Sequence, residues 1–134
     1  MPATLPEGVQ KLFQEPNYAH IATLMADGSP QVSAVWVDID GDRILVNTAE
    51  GRAKPRNVRR DPRVAVSITR QGNPYSTATI RGRVVEITQE GADAHINQLA
   101  KKYLDQDRYP FRSAEEQRLI LIIEPEHVSF NIAD

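Results

Sequence analysis

The sequence predicts a β-rich α+β domain in which one antiparallel sheet closes on itself as a small barrel, accompanied by a few short helices. Strand-forming runs recur along most of the chain, and two of the turns between them read Asp-Gly. No linker, repeat or low-complexity tract divides the 134 residues, so residues 1–134 are read as a single domain. Six or seven antiparallel strands must protect their edges, and closure into a barrel does so.

Taken in order, residues 5–15 place Leu5, Val9, Leu12 and Phe13 at helical spacing and predict a short amphipathic helix. Residues 18–26 are rich in strand formers and lead into Asp27-Gly28, a dipeptide favoured in tight hairpins because it tolerates positive φ. A second strand is expected over 31–39, a second turn at Asp40-Gly41 and a third strand over 43–49, together a meander. A short helix over 53–60 is expected to carry Pro55 at its first position, where a missing N–H loses no bond. Asp61-Pro62 ends it. Residues 63–70 form a fourth strand, 71–74 a loop, and 75–88 one long strand bent at Gly82. Residues 90–105 read as a helix with Ile96, Leu99, Ala100, Tyr103 and Leu104 on one face, covering an end or side of the barrel. Ser113 and Glu116 have capping-box spacing, which suggests a helical turn. A buried strand over 118–124 and a short one over 127–131 complete the chain.

Composition narrows the function. Hydrophobic residues at 40% and charged residues at 25% belong to a folded chain rather than a disordered one. No apolar run approaches the ~20 residues of a membrane-spanning helix, and no membrane association is expected. The first residues carry neither a basic nor an apolar leader segment, so a cytoplasmic location is expected. The absence of cysteine excludes disulfides, thiolate metal sites and thiol nucleophiles. His20, His95 and His127 are scattered, so they are expected to be structural and no metal site is expected. No dinucleotide, P-loop or serine-hydrolase motif is present, and no carboxylate pair stands out as acid and base. Any redox chemistry is therefore expected to belong to a cofactor.

Charge distribution points to one place. Net charge is −2, yet six of the 16 basic residues lie between Arg52 and Arg63, with Asp61 the only acid among them. A basic island on an acidic body suggests a local anion site. Nucleic-acid binding is not expected, because that needs a broad basic surface with exposed stacking aromatics, and aromatics are only 6%. Within the island, a strand delivers Asn47 and Thr48, a tight loop follows at Gly51, and Arg52, Ala53 and Lys54 open a helix. The free N–H groups of a helix start favour anions, so this run is the candidate phosphate site. Residues 27–36 form a second candidate: Gln31, Ser33 and Val35 share one strand face that suits a planar ring.

These blocks resemble the pyridoxamine 5'-phosphate oxidase-like split-barrel superfamily, and within it the branch of coenzyme F420 (deazaflavin)-dependent reductases. The resemblance runs over about residues 6–130, through His20-Ile-Ala-Thr-Leu, Asp27-Gly-Ser-Pro-Gln, Val35-Trp-Val, Ile44-Leu-Val-Asn-Thr and the block from Arg52 to Pro62. It implies an FMN-binding split-barrel type of fold and a homodimer with two cofactors at the subunit interface. It further implies that Thr48, Arg52 and Lys54 hold the cofactor phosphate, that Asn57 matches the family's helix asparagine, and that Gln31, Ser33 and Val35 lie by the ring system. Arg56, Arg59 and Arg60 would face the polyglutamate tail that a deazaflavin carries and FMN lacks. The implied activity is hydride transfer from reduced F420 to an electron-poor small-molecule acceptor such as an enone or a quinone-like molecule. FMN in an oxidase or flavin reductase, and a non-catalytic carrier of cofactor or haem, are the alternatives. Residues 129–134 lack the basic substrate motif and Arg-Leu-x-Pro ending of true pyridoxamine phosphate oxidases, so vitamin B6 oxidation is not expected.

Overall fold

Residue alternation explains the strands. In β5 (Arg63–Arg70), Val64, Val66 and Ile68 are buried while Arg63, Ser67 and Thr69 face solvent, the two-residue period of a strand with one wet face. The same period runs through β1 (Ala19–Leu24), β4 (Arg43–Ala49) and the first part of β6 (Asn73–Thr88). The computed structural model describes residues 2–133. It adds strands β2 (Pro30–Val35), β3 (Val37–Asp40) and β7 (Arg118–Asn131), and helices α1 (Glu7–Gln14), α2 (Ala53–Arg60) and α3 (Ala92–Leu104).

The seven strands form one antiparallel sheet in the order β2-β1-β5-β6-β7-β4-β3. Its two edges, β2 and β3, are separated in the chain by Trp36 alone. One extended residue spans only about 3.6 Å. The edges must therefore approach each other at Trp36, and the sheet curls into a split barrel. This corrects the expected meander. The run 31–39 is not one strand but breaks at Trp36, with β2 pairing to β1 and β3 to β4. Each Asp-Gly turn, with Gly28 at φ 85° and Gly41 at φ 62°, fixes only its own hairpin. The break then hands the chain from one edge of the sheet to the other.

At the far end, the two strands expected over 118–124 and 127–131 are one continuous β7. It pairs along β6 with a register shift between Arg81 and Gly82, where Gly82 faces Pro125. A Cβ on Gly82 would sit 2.2 Å from the Glu124 carbonyl oxygen, so only glycine lets the two backbones close at this bend.

The core lies inside the curl. The α1 face of Val9, Leu12 and Phe13 is fully buried and joins Ile21, Val46, Val66, Ile80 and Leu121 from the strands. Burying each such side chain contributes roughly 1.5–3 kcal/mol. The helix expected over 90–105 is α3, which packs along the side of the barrel on β7 and β4. Tyr103 Oη donates to the Asn17 carbonyl at 2.7 Å and Lys102 Nζ to the Val37 carbonyl at 2.8 Å, pinning α3 to the β2–β3 junction. The capping-box reading at Ser113 is not realised as a helix. A single turn forms, with Glu116 N donating to the Ser113 carbonyl at 3.1 Å, because the Glu116 side chain turns to arginines instead. No helix among the described residues is long and apolar enough to cross a membrane.

Candidate functional site

The start of α2 sets the first part of the site. Arg52 occupies the N-cap in extended conformation and offers no side-chain cap, and Pro55 stands at the third helical position rather than the first. With no side-chain cap, the Ala53 and Lys54 N–H groups stay available for an anion, while Pro55 has no N–H to offer. Lys54, in that turn, is half-buried, and its Nζ donates to Ser33 Oγ at 3.3 Å. Burial lowers its pKa, and the Arg52 and Arg118 charges lower it further. Among the described residues no carboxylate pairs with this ammonium, so an anion beside it would meet three positive groups.

Lys54 opens into a cleft of about 230 Å³. Arg52, Lys54 and Arg118 form its polar side; Val35, Ile96 and Leu99 form its apolar floor. Tyr18, Trp36, Tyr109 and Phe111 supply aromatic walls. Trp36 stacks on Tyr103 with ring centroids 5.2 Å apart and meets the Tyr109 edge at 5.8 Å, and Tyr109 meets Phe111 at 5.7 Å. Edge and offset contacts of this kind fix ring positions. The residue that joins the two sheet edges is thus also a wall of the cleft.

Arg118 is the buried cation of the site, with a side chain only 2% exposed. Its Nε donates to Asn47 Oδ1 at 2.8 Å, its Nη1 to Glu116 Oε1, and its guanidinium lies 5.3 Å over the Tyr109 ring. Asn47 continues the network: its Nδ2 donates to the Ala92 carbonyl at 2.9 Å and faces His95 Nδ1 at 3.1 Å. Because Oδ1 receives Arg118 and Nδ2 must donate, His95 Nδ1 is the acceptor and its proton sits on Nε2. Nε2 lies 3.3 Å from Asp38 Oδ2 but off the axis of a hydrogen bond, and has no other partner among the described residues. Burial pushes the Asp38 carboxyl up, yet His95 and the Ile39 N–H outweigh it and hold the carboxyl below its usual range.

The cleft brings together four of the residues expected from sequence, Val35, Asn47, Arg52 and Lys54, with Ser33 joined through Lys54. Ala53 is the first residue of α2. Gln31 and Asn57 lie further along β2 and α2 and meet each other, Asn57 Nδ2 donating to Gln31 Oε1 at 3.3 Å and to Thr23 Oγ1 at 2.9 Å. Thr48 points into the barrel, fully buried, with a hydroxyl that has no partner among the described residues. Of the arginines beyond the turn, Arg59 pairs with Glu50 at 2.7 Å and Arg60 donates to Asn57 Oδ1 at 2.8 Å, while Arg56 donates to the Gly51 carbonyl at 2.9 Å. Sequence reasoning missed Arg118, Glu116, Tyr109 and Phe111. One signal was present: a lone arginine opening the apolar strand 118–123.

A split barrel with an anion-ready helix start beside its closure defines a class, and the chain belongs to the pyridoxamine 5'-phosphate oxidase family, which it matches over residues 5–132. It is similar to an F420 reductase from Mycobacterium, with 33% identity, a TM-score of 0.83, and coverage of 93% of this chain and 98% of that one. A conserved hypothetical protein from Mycobacterium tuberculosis shares the fold at 18% identity and TM-score 0.74, covering 98% of this chain and 86% of that chain. General Stress Protein 26 from Bacillus anthracis does so at 16% identity and TM-score 0.68, covering 93% and 92%.

Proposed function

We propose that this protein is an F420-dependent oxidoreductase, passing a hydride from reduced deazaflavin to an electron-poor organic acceptor such as an enone or a quinone-like molecule. The observation that carries the reading is the charge imbalance of the cleft: three cations, Arg52, Lys54 and Arg118, line it, and among the described residues Glu116 is the one carboxylate that pairs with any of them. A phosphate at the α2 start fits this excess, and the similarity to an F420 reductase supports deazaflavin as its bearer. When bound, the cofactor supplies the hydride chemistry. Lys54, Arg52 and the α2 N–H groups hold the phosphate. Val35 and Trp36 flank the ring position, and the aromatic walls keep water from it.

The active form in this reading is a homodimer with cofactor at the subunit interface, which is consistent with Val32, 65% exposed on the edge strand β2. The test is a side-by-side titration with deazaflavin and FMN of protein made in a host without deazaflavin. Colourless protein that binds deazaflavin more tightly is expected. Yellow protein with stoichiometric FMN that deazaflavin cannot displace overturns the cofactor assignment. Light scattering that shows only monomer at micromolar concentration overturns the dimer.

A further inference from the structure

One wall of the cleft already holds an anion, and it belongs to the protein. The Glu116 carboxylate lies between two guanidiniums, with Oε1 accepting from Arg118 Nη1 and Oε2 from Arg52 Nη2 at 3.4 Å. The two sides of this contact differ in how firmly they are built. Arg118 is fixed three ways: by the β4–β7 ladder, where it pairs with Ala49, by Asn47 Oδ1, and by the Tyr109 ring beneath it. Arg52 has its backbone at the α2 N-cap and a half-exposed side chain that reaches Glu116. Glu116, by contrast, comes from the irregular segment between α3 and β7, outside any ladder or helix, with its N–H on the Ser113 carbonyl at 3.1 Å and the next carbonyl, of Gln117, accepting from Glu50 N at 2.9 Å. That segment is fastened at a few points, such as Tyr109 N to Asn97 Oδ1 at 2.9 Å and Arg112 Nη2 to the Glu116 carbonyl at 3.3 Å. A buried guanidinium held independently of the carboxylate it meets, with a second, half-exposed one beside it, has the form of a binding site filled by an internal stand-in.

The surroundings say what else would fit. A carboxylate in the place of Glu116 enters beside the Tyr109 ring, with Trp36 and the 69%-exposed Phe111 lining the same cleft. Two guanidiniums match the two oxygens of a carboxylate, and rings on either side favour a flat body behind it. We propose that Arg118 and Arg52 form a carboxylate subsite for a planar aromatic or conjugated acid, and that Glu116 occupies it until such a ligand displaces it. Arg52 is shared with the phosphate position at Lys54, whereas Arg118 belongs to the carboxylate subsite. The subsite stands on the geometry of the cleft and not on the identity of the cofactor.

The test compares the wild type with Glu116→Gln, which keeps the shape of the side chain and removes its charge. Benzoate, benzamide and glutarate are titrated by calorimetry, with the emission of Trp36, the only tryptophan of the chain, as a second readout. Glu116→Gln is expected to bind benzoate at least fivefold more tightly than the wild type, with no matching gain for benzamide and weaker binding of glutarate. Adding Arg52→Gln, a change at a half-exposed side chain that leaves the core intact, is expected to cancel the gain. Unchanged or weaker benzoate binding in Glu116→Gln overturns the subsite, since Glu116 would then serve to organise Arg118. Equal gains for benzamide remove the charge argument, and glutarate binding as well as benzoate removes the planar one. A Glu116→Gln protein that gains benzoate affinity yet binds neither deazaflavin nor FMN leaves the subsite standing and sinks the cofactor reading.

Discussion

Replacing Lys54 with alanine separates what the residue does for the fold from what it does for a ligand. Among the described residues Lys54 makes one long bond, to Ser33 Oγ at 3.3 Å, while burial and the charges of Arg52 and Arg118 both disfavour its ammonium. Removing it relieves that repulsion, so Lys54→Ala is expected to melt at the wild-type temperature or slightly above. The ligand side has the opposite sign. A hydrogen bond from a charged donor to phosphate contributes about 1.5–3 kcal/mol, which corresponds to a loss of roughly ten- to 150-fold in cofactor affinity. The upper part of that range is expected, because a half-buried ammonium is screened less than a surface one. Calorimetric titration with deazaflavin measures the affinity, and a thermal melt measures the fold. Unchanged affinity would remove Lys54 from the anion site. A protein that unfolds on substitution would show that the ammonium is structural, contrary to its sparse bonding.

Three further expectations concern the scaffold. Gly82→Ala is expected to destabilise strongly, by about 2–4 kcal/mol or through loss of soluble protein, because its Cβ would meet the Glu124 carbonyl oxygen at 2.2 Å and backbone cannot yield as a side chain does; a denaturant melt reads it. Asn57→Ala takes the Nδ2 donor from the buried Thr23 hydroxyl and leaves Arg60 with the Leu24 carbonyl alone, so a loss of about 1–3 kcal/mol and a melting temperature several degrees lower are expected. Stability is also expected to peak near pH 10. Burial lowers Lys102 to about 8 in the folded protein against an ordinary 10.5, so the unfolded chain binds more protons between those values and stability rises with pH there. Burial raises Tyr103 to about 12 against an ordinary 10.0, so above that point the unfolded chain loses its proton first and stability falls. Chemical denaturation between pH 7.5 and about pH 11 tests both slopes, and a flat profile would refute the buried state of the pair.

Local signals in the sequence carried local structure. Asp27-Gly28 and Asp40-Gly41 each specified a hairpin, the period in 63–70 specified a half-buried strand, and Gly82 marked the bend. The meander failed because pairing between hairpins is a tertiary matter. A nine-residue run that keeps its alternation through Trp36 gives no sign that its two halves join opposite edges of the sheet. The site divides in the same way. Lys54 and Arg52 were legible because a helix start and a charge cluster are contiguous in sequence. Arg118 and Tyr109 reach the cleft only when β7 is laid beside β4, and Glu116 was taken for a capping partner because its true partners lie far from it in the chain.

Barrel closure and site assembly are one structural event. β2 and β4 belong to opposite halves of the sheet order, yet Ser33 of β2 receives Lys54, which follows β4, and Val35 and Asn47 line the same cleft. They come together because Trp36 joins the two edges, and Trp36 is held there by its stack on Tyr103, whose hydroxyl bonds Asn17 and whose neighbour Lys102 bonds Val37. Tyr103 and Lys102 touch no atom of the anion site, yet they fix the junction on which its two halves depend. Loosening this junction should therefore separate Ser33 from Lys54 before it exposes the core, since the apolar cluster around α1 contains no residue of α3 and α3 meets α1 through polar contacts such as Lys102 Nζ to the Phe13 carbonyl. Conditions that charge Lys102 more fully, below its depressed pKa, place their strain on that junction.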